Sequence, residues 1–215
     1  AKHAYQNTAA NQPSISLNSL NGFHGILFDG VNDHLLIDSN LNVGNAFILL
    51  NWNGIEEVFP NYNGIMTEQI LGKRLFHAHG GTSNLYSTDF FGTNVFINNI
   101  KSLDFRPFYN YKIISGAKIP TIFNNLIIGR DGNVTSGRNW KGDIFEILIF
   151  NDTLDVAQNN QIIQYFQNKY TPPVNLGKNI YIPYGFADTT ISSAYKPWFT
   201  SYNWSTGQTD SVIPV

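Results

Sequence analysis

The sequence predicts an all-β fold, an antiparallel sandwich of jelly-roll type, with one C-terminal helix. Three observations carry this. Short apolar runs recur at roughly ten-residue spacing, the rhythm of a sandwich or barrel. Turn-forming pairs separate many of them: Asp29-Gly30, Asn53-Gly54, Asn63-Gly64 and Asp131-Gly132, dipeptides that tolerate positive φ and close tight turns. One segment alone, Asp155 to Tyr170, changes from strand-like to helical spacing.

The elements follow in order. The first 23 residues are polar and loop-like, with a short strand at Ser14 to Leu17. Strands are then expected at Gly25 to Asp29, His34 to Asp38, Ala46 to Trp52, Gln69 to Gly72 and Leu75 to His79. Further runs lie at Val95 to Asn98, Tyr111 to Ser115, Leu126 to Gly129 and Asp143 to Phe150. In the helix, Asp155 can cap and Gln158 can complete a capping box. Ile162, Ile163, Phe166 and Tyr170 form one apolar stripe that requires a docking surface. Thr171-Pro172-Pro173 ends the helix and stiffens a linker. Beyond it, residues 172–215 hold short strand-like runs but are few for an independent core without disulfides. The expected division is therefore 1–171 for the sandwich and 172–215 for a linker and a partial β module.

Composition narrows the chemistry. A chain of 215 residues suits one large all-β domain with at most a small partner. Cysteine is absent, so disulfide frameworks, thiolate metal sites and cysteine nucleophiles are excluded. The 13 Lys and Arg against 15 Asp and Glu leave a net charge of −2, which disfavours nucleic acid as a partner. No apolar run approaches the roughly 18 residues of a membrane-spanning helix, so no membrane insertion is expected. The surplus lies in 28 Asn, 18 Gly and 31 aromatic residues (16 Phe, 11 Tyr, 4 Trp). The chain opens Ala-Lys-His, without an initiator Met, and reads as a piece of a longer protein.

Three stretches carry a family resemblance. Asn21-Gly22 with Ile26-Leu27-Phe28-Asp29-Gly30-Val31-Asn32-Asp33-His34-Leu35 resembles the opening of concanavalin A-like, laminin-G-like jelly-roll domains of bacterial secreted proteins. Gly142-Asp143-Ile144-Phe145-Glu146-Ile147-Leu148-Ile149-Phe150-Asn151 with Leu154-Asp155 resembles their closing strand. Gln164-Tyr165-Phe166-Gln167-Asn168-Lys169-Tyr170 resembles the helix that follows. In the tail, Val174-Asn175-Leu176-Gly177 and Tyr202-Asn203-Trp204-Ser205-Thr206-Gly207-Gln208-Thr209 resemble the start of a bacterial immunoglobulin-like repeat, which would place Trp204 on a core strand. The resemblance implies a secreted or cell-surface location. It implies a non-catalytic glycan-binding or adhesive module, with polysaccharide or glycan and neighbouring domains of the same parent protein as partners. A ligand-free structural spacer is the alternative, and a glycoside hydrolase a more distant one.

The candidate site residues follow from residue type and position. Jelly-roll glucanases set a Glu-x-Asp-x-x-Glu run on one strand, because retaining chemistry needs two carboxylates about 5 Å apart. Only Glu56, Glu57, Glu68 and Glu146 are present and none fits, so no catalytic residue is assigned. Trp52, Tyr62, Tyr86 and Trp140 are candidate sugar platforms. Trp140 is expected in the core, whereas Trp52 and Tyr62 flank the turn-rich stretch 51–64. His77 and His79 share one strand face and are ligand candidates. Asp29 and Asp33 could offer oxygens to a structural calcium, with Asp131 and Asn133 a weaker pair; the bland reading is turn stabilisation. No cofactor is required. Glu146 is expected to be structural, with Arg130 or Arg138 as partner.

Overall fold

The computed structural model describes residues 3–55, 57–69, 73–86, 90–108, 110–132, 137–171, 176, 180, 190–192 and 202–214. The expectations at 70–72, at Asn133, at the linker prolines and over most of the tail lie outside them.

An Asn-Gly hairpin starts the sheet. Asn21 and Gly22 both take positive φ, 49° and 83°, so β1 (Ser14–Leu20) and β2 (Phe23–Asp29) pair antiparallel across a two-residue turn. Next comes β3, a single strand over Leu35–Leu50. Then follow β4 (Gly64–Glu68), β5 (Arg74–His77), β6 (Val95–Ile97) and β7 (Ile100–Lys101). The strand β8 runs over Lys112–Ile128, and β9 over Lys141–Phe150.

The separate runs at 34–38 and 46–52 are thus two halves of β3, and those at 111–115 and 126–129 are two halves of β8. Alternation was interrupted at the bends, so each half read alone. Pairing lapses between Val43 and Asn45 on β3, opposite the step from Thr121 to Ala117 on β8. Pro120 falls in that lapse, where a missing N–H breaks no ladder bond. Gly44 sits there too, because a Cβ on it would stand 2.3 Å from the Asp152 carbonyl carbon.

The order is β1-β2-β9-β3-β8-β4-β5, with β6 on β8 and β7 on β6. The first half of β3 pairs with the second half of β8, which carries β4 and then β5. The second half of β3 pairs with β9 on one side and the first half of β8 on the other. The architecture is an antiparallel β-sandwich with one helix on an outer face.

Alternation along β3 explains the layering. Ala46, Ile48 and Leu50 enter the main core with Ile65, Met66, Phe76, Ile114, Phe123 and Trp140. Phe47 and Leu49 point the other way, into a second core with Ile113, Ile163, Phe166 and Tyr170. That second core is the bed of helix α1 (Val156–Tyr170). The Asp155–Gln158 capping box is present, and Ile163, Phe166 and Tyr170 are buried as the stripe requires. No described helix is long and apolar enough to cross a membrane.

Glu146 latches this helix, as a structural residue but through different partners. Its carboxylate accepts from the Tyr165 hydroxyl at 2.7 Å, Lys169 Nζ at 3.0 Å and the Tyr170 hydroxyl at 3.0 Å. Burial and the adjacent Glu146 charge push the Tyr170 hydroxyl up to about 12. A bulge between Ile144 and Glu146 breaks the alternation of β9. Ile144 therefore joins the main core while Glu146 faces the helix. In the tail, β10 (Thr190–Ser192) pairs antiparallel with β11 (Val212–Pro214). Trp204 lies outside both strands, half-buried, in a turn where its Nε1 donates to the Asp210 carbonyl at 2.8 Å.

Two substitutions test the helix docking. Asp155→Ala removes the cap and should cost about 1 kcal/mol. Glu146→Ala removes three hydrogen bonds, one of them to a cation, and should cost about 2 kcal/mol. Chemical denaturation of both variants checks the ranking; a Glu146→Ala protein as stable as wild type would show that the latch contributes nothing.

Candidate functional site

Asp131 organises a cleft that unites polar and aromatic candidates. Its side chain is fully buried just after β8. Arg74 donates through Nε to Oδ1 at 3.2 Å and through Nη2 to Oδ2 at 3.0 Å, and Arg138 donates through Nη1 to Oδ2 at 3.1 Å. His77 Nε2 stands 3.4 Å from Oδ2. Burial alone would raise the Asp131 pKa; the bonds from His77 and Arg74 outweigh it and hold the carboxyl far below the usual carboxylate range. For His77 the balance reverses. Burial pushes the imidazole below its ordinary 6.5 despite the pull of Asp131. We therefore assign His77 as neutral near pH 7, since the two guanidiniums already neutralise that carboxylate.

The backbone explains why these groups meet. β4 and β5 pair Gly64 with His77 and Thr67 with Arg74, with register shifts between. Leu75 and Phe76 consequently both enter the core, while Arg74 and His77 both reach Asp131. Strict alternation would have set them on opposite faces. Gly64 lies against the Arg130–Asp131 backbone, where a Cβ would stand 2.2 Å from the Asp131 nitrogen. Thr67 Oγ1 donates to the Arg130 carbonyl at 2.8 Å and accepts from Gly132 N–H at 2.9 Å. Gly64 and Gly132 are thus glycines of close approach. Of the four turn pairs read from the sequence, only Gly30 takes a positive φ, 81°.

Around the ion cluster stands an aromatic wall. Tyr62 stacks on His77 at 5.9 Å and 19°, and lies 5.5 Å from His79 and 5.6 Å from Tyr86. Tyr86 meets His77 and His79 edge-on. The Arg138 guanidinium sits 5.1 Å from the Tyr62 ring centroid, a cation–π contact. Tyr62, Arg74, His77, Tyr86 and Arg138 line an open cleft of about 280 Å³. Tyr62, His77 and His79, chosen on residue type, are therefore neighbours. Arg74 is not among the candidates the sequence offers, and Arg138 is expected there as a partner of Glu146. For Arg74 the local signal is the polar-apolar-apolar-polar run Arg74-Leu75-Phe76-His77, which marks a bulge; no local pattern marks Arg138.

Other candidates take different places. Trp52 is 3% exposed and packs edge-on against Phe59 at 5.3 Å and Trp140 at 5.0 Å. It is a core residue with no face open to a sugar, and Trp140 is its core partner, as expected. Phe59, in the same 51–64 stretch, is fully buried, so that stretch completes the core as well as edging the cleft. Asp29 Oδ1 accepts from the backbone N–H of Val31, Asn32 and Asp33, and Asp33 Oδ2 accepts from Asp29 N–H at 2.9 Å. Both carboxylates serve the turn. Asp131 is enclosed by cationic side chains, which opposes a calcium ion there. Among the described residues no group of three or more His, Asp or Glu is placed to hold a metal ion. Glu68 is buried and accepts from Asn124 N–H at 2.8 Å.

Comparisons of the chain with protein-family models, curated proteins and solved structures find no match.

Three measurements test this site. Asp131→Asn leaves two guanidiniums facing a neutral group and should cost about 3 kcal/mol, the low end for a broken buried pair, because both arginines keep partial access to water. Trp52→Ala should cost about 3–5 kcal/mol, as for a large core side chain. Stability should fall with acid in two stages. His77 binds its proton more readily unfolded, so its contribution is lost as pH drops below about 6.5. Asp131 binds its proton more readily unfolded too, so its contribution is lost as pH falls through 3.8 and below. His34, also lowered by burial, acts in the first window, so the diagnostic is the difference between wild type and His77→Asn. The variant should show a flatter slope between pH 7 and 5; equal slopes would show that His77 does not titrate there.

Proposed function

We propose that the chain is a non-catalytic glycan-binding module of a secreted or cell-surface protein. The single observation behind this reading is the cleft beside β4 and β5, where two tyrosines and His77 border two arginines. Aromatic surfaces pack against the C–H faces of pyranose rings, while guanidinium N–H groups bond their oxygens. The cleft is shallow and open, as suits a short stretch of polysaccharide. Its walls are anchored by a buried ion cluster, so they are preorganised before binding. The β-sandwich with a long bent strand pair and a docked helix supports the concanavalin A-like, laminin-G-like resemblance. The β10–β11 pair supports reading the tail as part of a following β module. Fold alone does not assign function, so the reading rests on the cleft.

A glycan array probed with the full chain, with calcium and with EDTA, tests it. Binding to a defined oligosaccharide is expected, and Tyr62→Ala or Tyr86→Ala should weaken it by roughly tenfold or more, the loss of one aromatic contact of about 1.4 kcal/mol. Binding left unchanged by both substitutions would overturn the assignment of this cleft. Absence of binding across the array would favour a ligand-free spacer. Release of new reducing ends from a bound polysaccharide would instead mark a hydrolase.

A further inference from the structure

The electrostatics of the cleft point to the class of sugar. Arg74 and Arg138 bring two positive charges, and the buried Asp131 brings one negative charge. Among the described residues the cluster thus counts two guanidiniums to one carboxylate, and protonation of His77 would only add positive charge. The negative partner is sealed from solvent, whereas the Arg74 and Arg138 side chains are 20% and 35% exposed. Among the described lining residues the cleft consequently meets a ligand with guanidinium surface and not with carboxylate. Asp131 accepts one N–H from Arg138, and a guanidinium carries five in a planar fork. Its plane is also set by the Tyr62 ring, so the fork is oriented before a ligand arrives. A neutral sugar would use this arrangement poorly, since hydroxyl groups neither neutralise the charge nor match the fork. A planar carboxylate or a sulfate ester does both.

We infer that the cleft selects acidic glycans, with a carboxylate or sulfate ester on the Arg138 fork beside Arg74 and the sugar ring against the Tyr62–Tyr86 wall. This rests on the glycan-binding reading and adds the charge of the ligand. Both substituents share one chemistry, a delocalised anion on a pyranose, and the test separates them.

The experiment uses the full chain against three matched sets: uronic-acid oligosaccharides, sulfated oligosaccharides, and the uronic-acid set with carboxylates reduced to alcohols. The acidic members should bind at least about tenfold more tightly than the reduced set, the scale of one charge-assisted contact. Raising NaCl from 0.05 to 0.5 M should weaken acidic binding several-fold and leave neutral binding unchanged. Arg138→Gln should remove most of the acidic preference. Arg138→Lys should keep part of it, because the charge remains while the fork is lost. Thermal melts of both variants confirm that they fold. Preference for the uronic-acid set over the sulfated set identifies the carboxylate as the group recognised, and the reverse identifies the sulfate. Equal affinity for acidic and reduced ligands, or an acidic preference indifferent to Arg138→Gln, overturns the inference and leaves glycan binding standing. No binding to any of the three sets overturns both.

Discussion

Two long bent strands hold the molecule together. β3 and β8 pair along most of their length, with register shifts where they bend. The inner face of β3 builds the main core and its outer face builds the helix bed. A break in this pair would therefore reach both cores. The bend is where the chain tolerates interruption: Gly44 makes room for the Asp152 turn, and Asn45 uses its buried side chain to fix the helix entry. Asn45 Oδ1 accepts from Leu154 N–H at 2.7 Å, and its Nδ2 donates to Asn159 Oδ1 at 3.1 Å. The surplus of asparagine is partly explained here, since short amides satisfy backbone groups that the bends leave over.

The cleft depends on a second constraint, the neutralisation of one buried carboxylate. Asp131 could not be sealed from water without its cationic partners. Meeting that requirement draws Arg74 and His77 from β5 and Arg138 from the connection before β9 to one point. The aromatic residues then pack around those side chains. Structural necessity thus concentrates positive charge and aromatic surface at one place, and the side of the cluster that reaches solvent is the side a ligand would meet.

Legibility varied with the range of the interaction. The helix was readable to its cap, because the Asp155–Gln158 box and the stripe ending at Tyr170 are local features. His77 and His79 are expected on one strand face; β5 ends at His77, and both rings meet Tyr62 and Tyr86. Trp52 was misplaced. Its neighbours are turn residues, but its environment is set by Phe59 and Trp140, the latter 88 positions away by sequence number. β4 was hidden inside a stretch rich in Asn and Gly, because Gly64 is there for close approach to Asp131 and not for a turn. The Glu146 partners were sought one hairpin upstream, whereas the helix supplied them from downstream.

An all-β chain with one amphipathic helix, free of cysteine chemistry and poor in carboxylate pairs, is already written in the order of residues. These features follow from composition and short-period patterning, which act within a few residues. Folding in three dimensions joins four of the runs into two strands, puts Trp52 in the core, and brings Arg74, His77 and Arg138 together on Asp131. Bulges and bends set those outcomes. A bulge shifts the facing of every residue beyond it, and no local pattern records where a distant carboxylate will need its charge balanced.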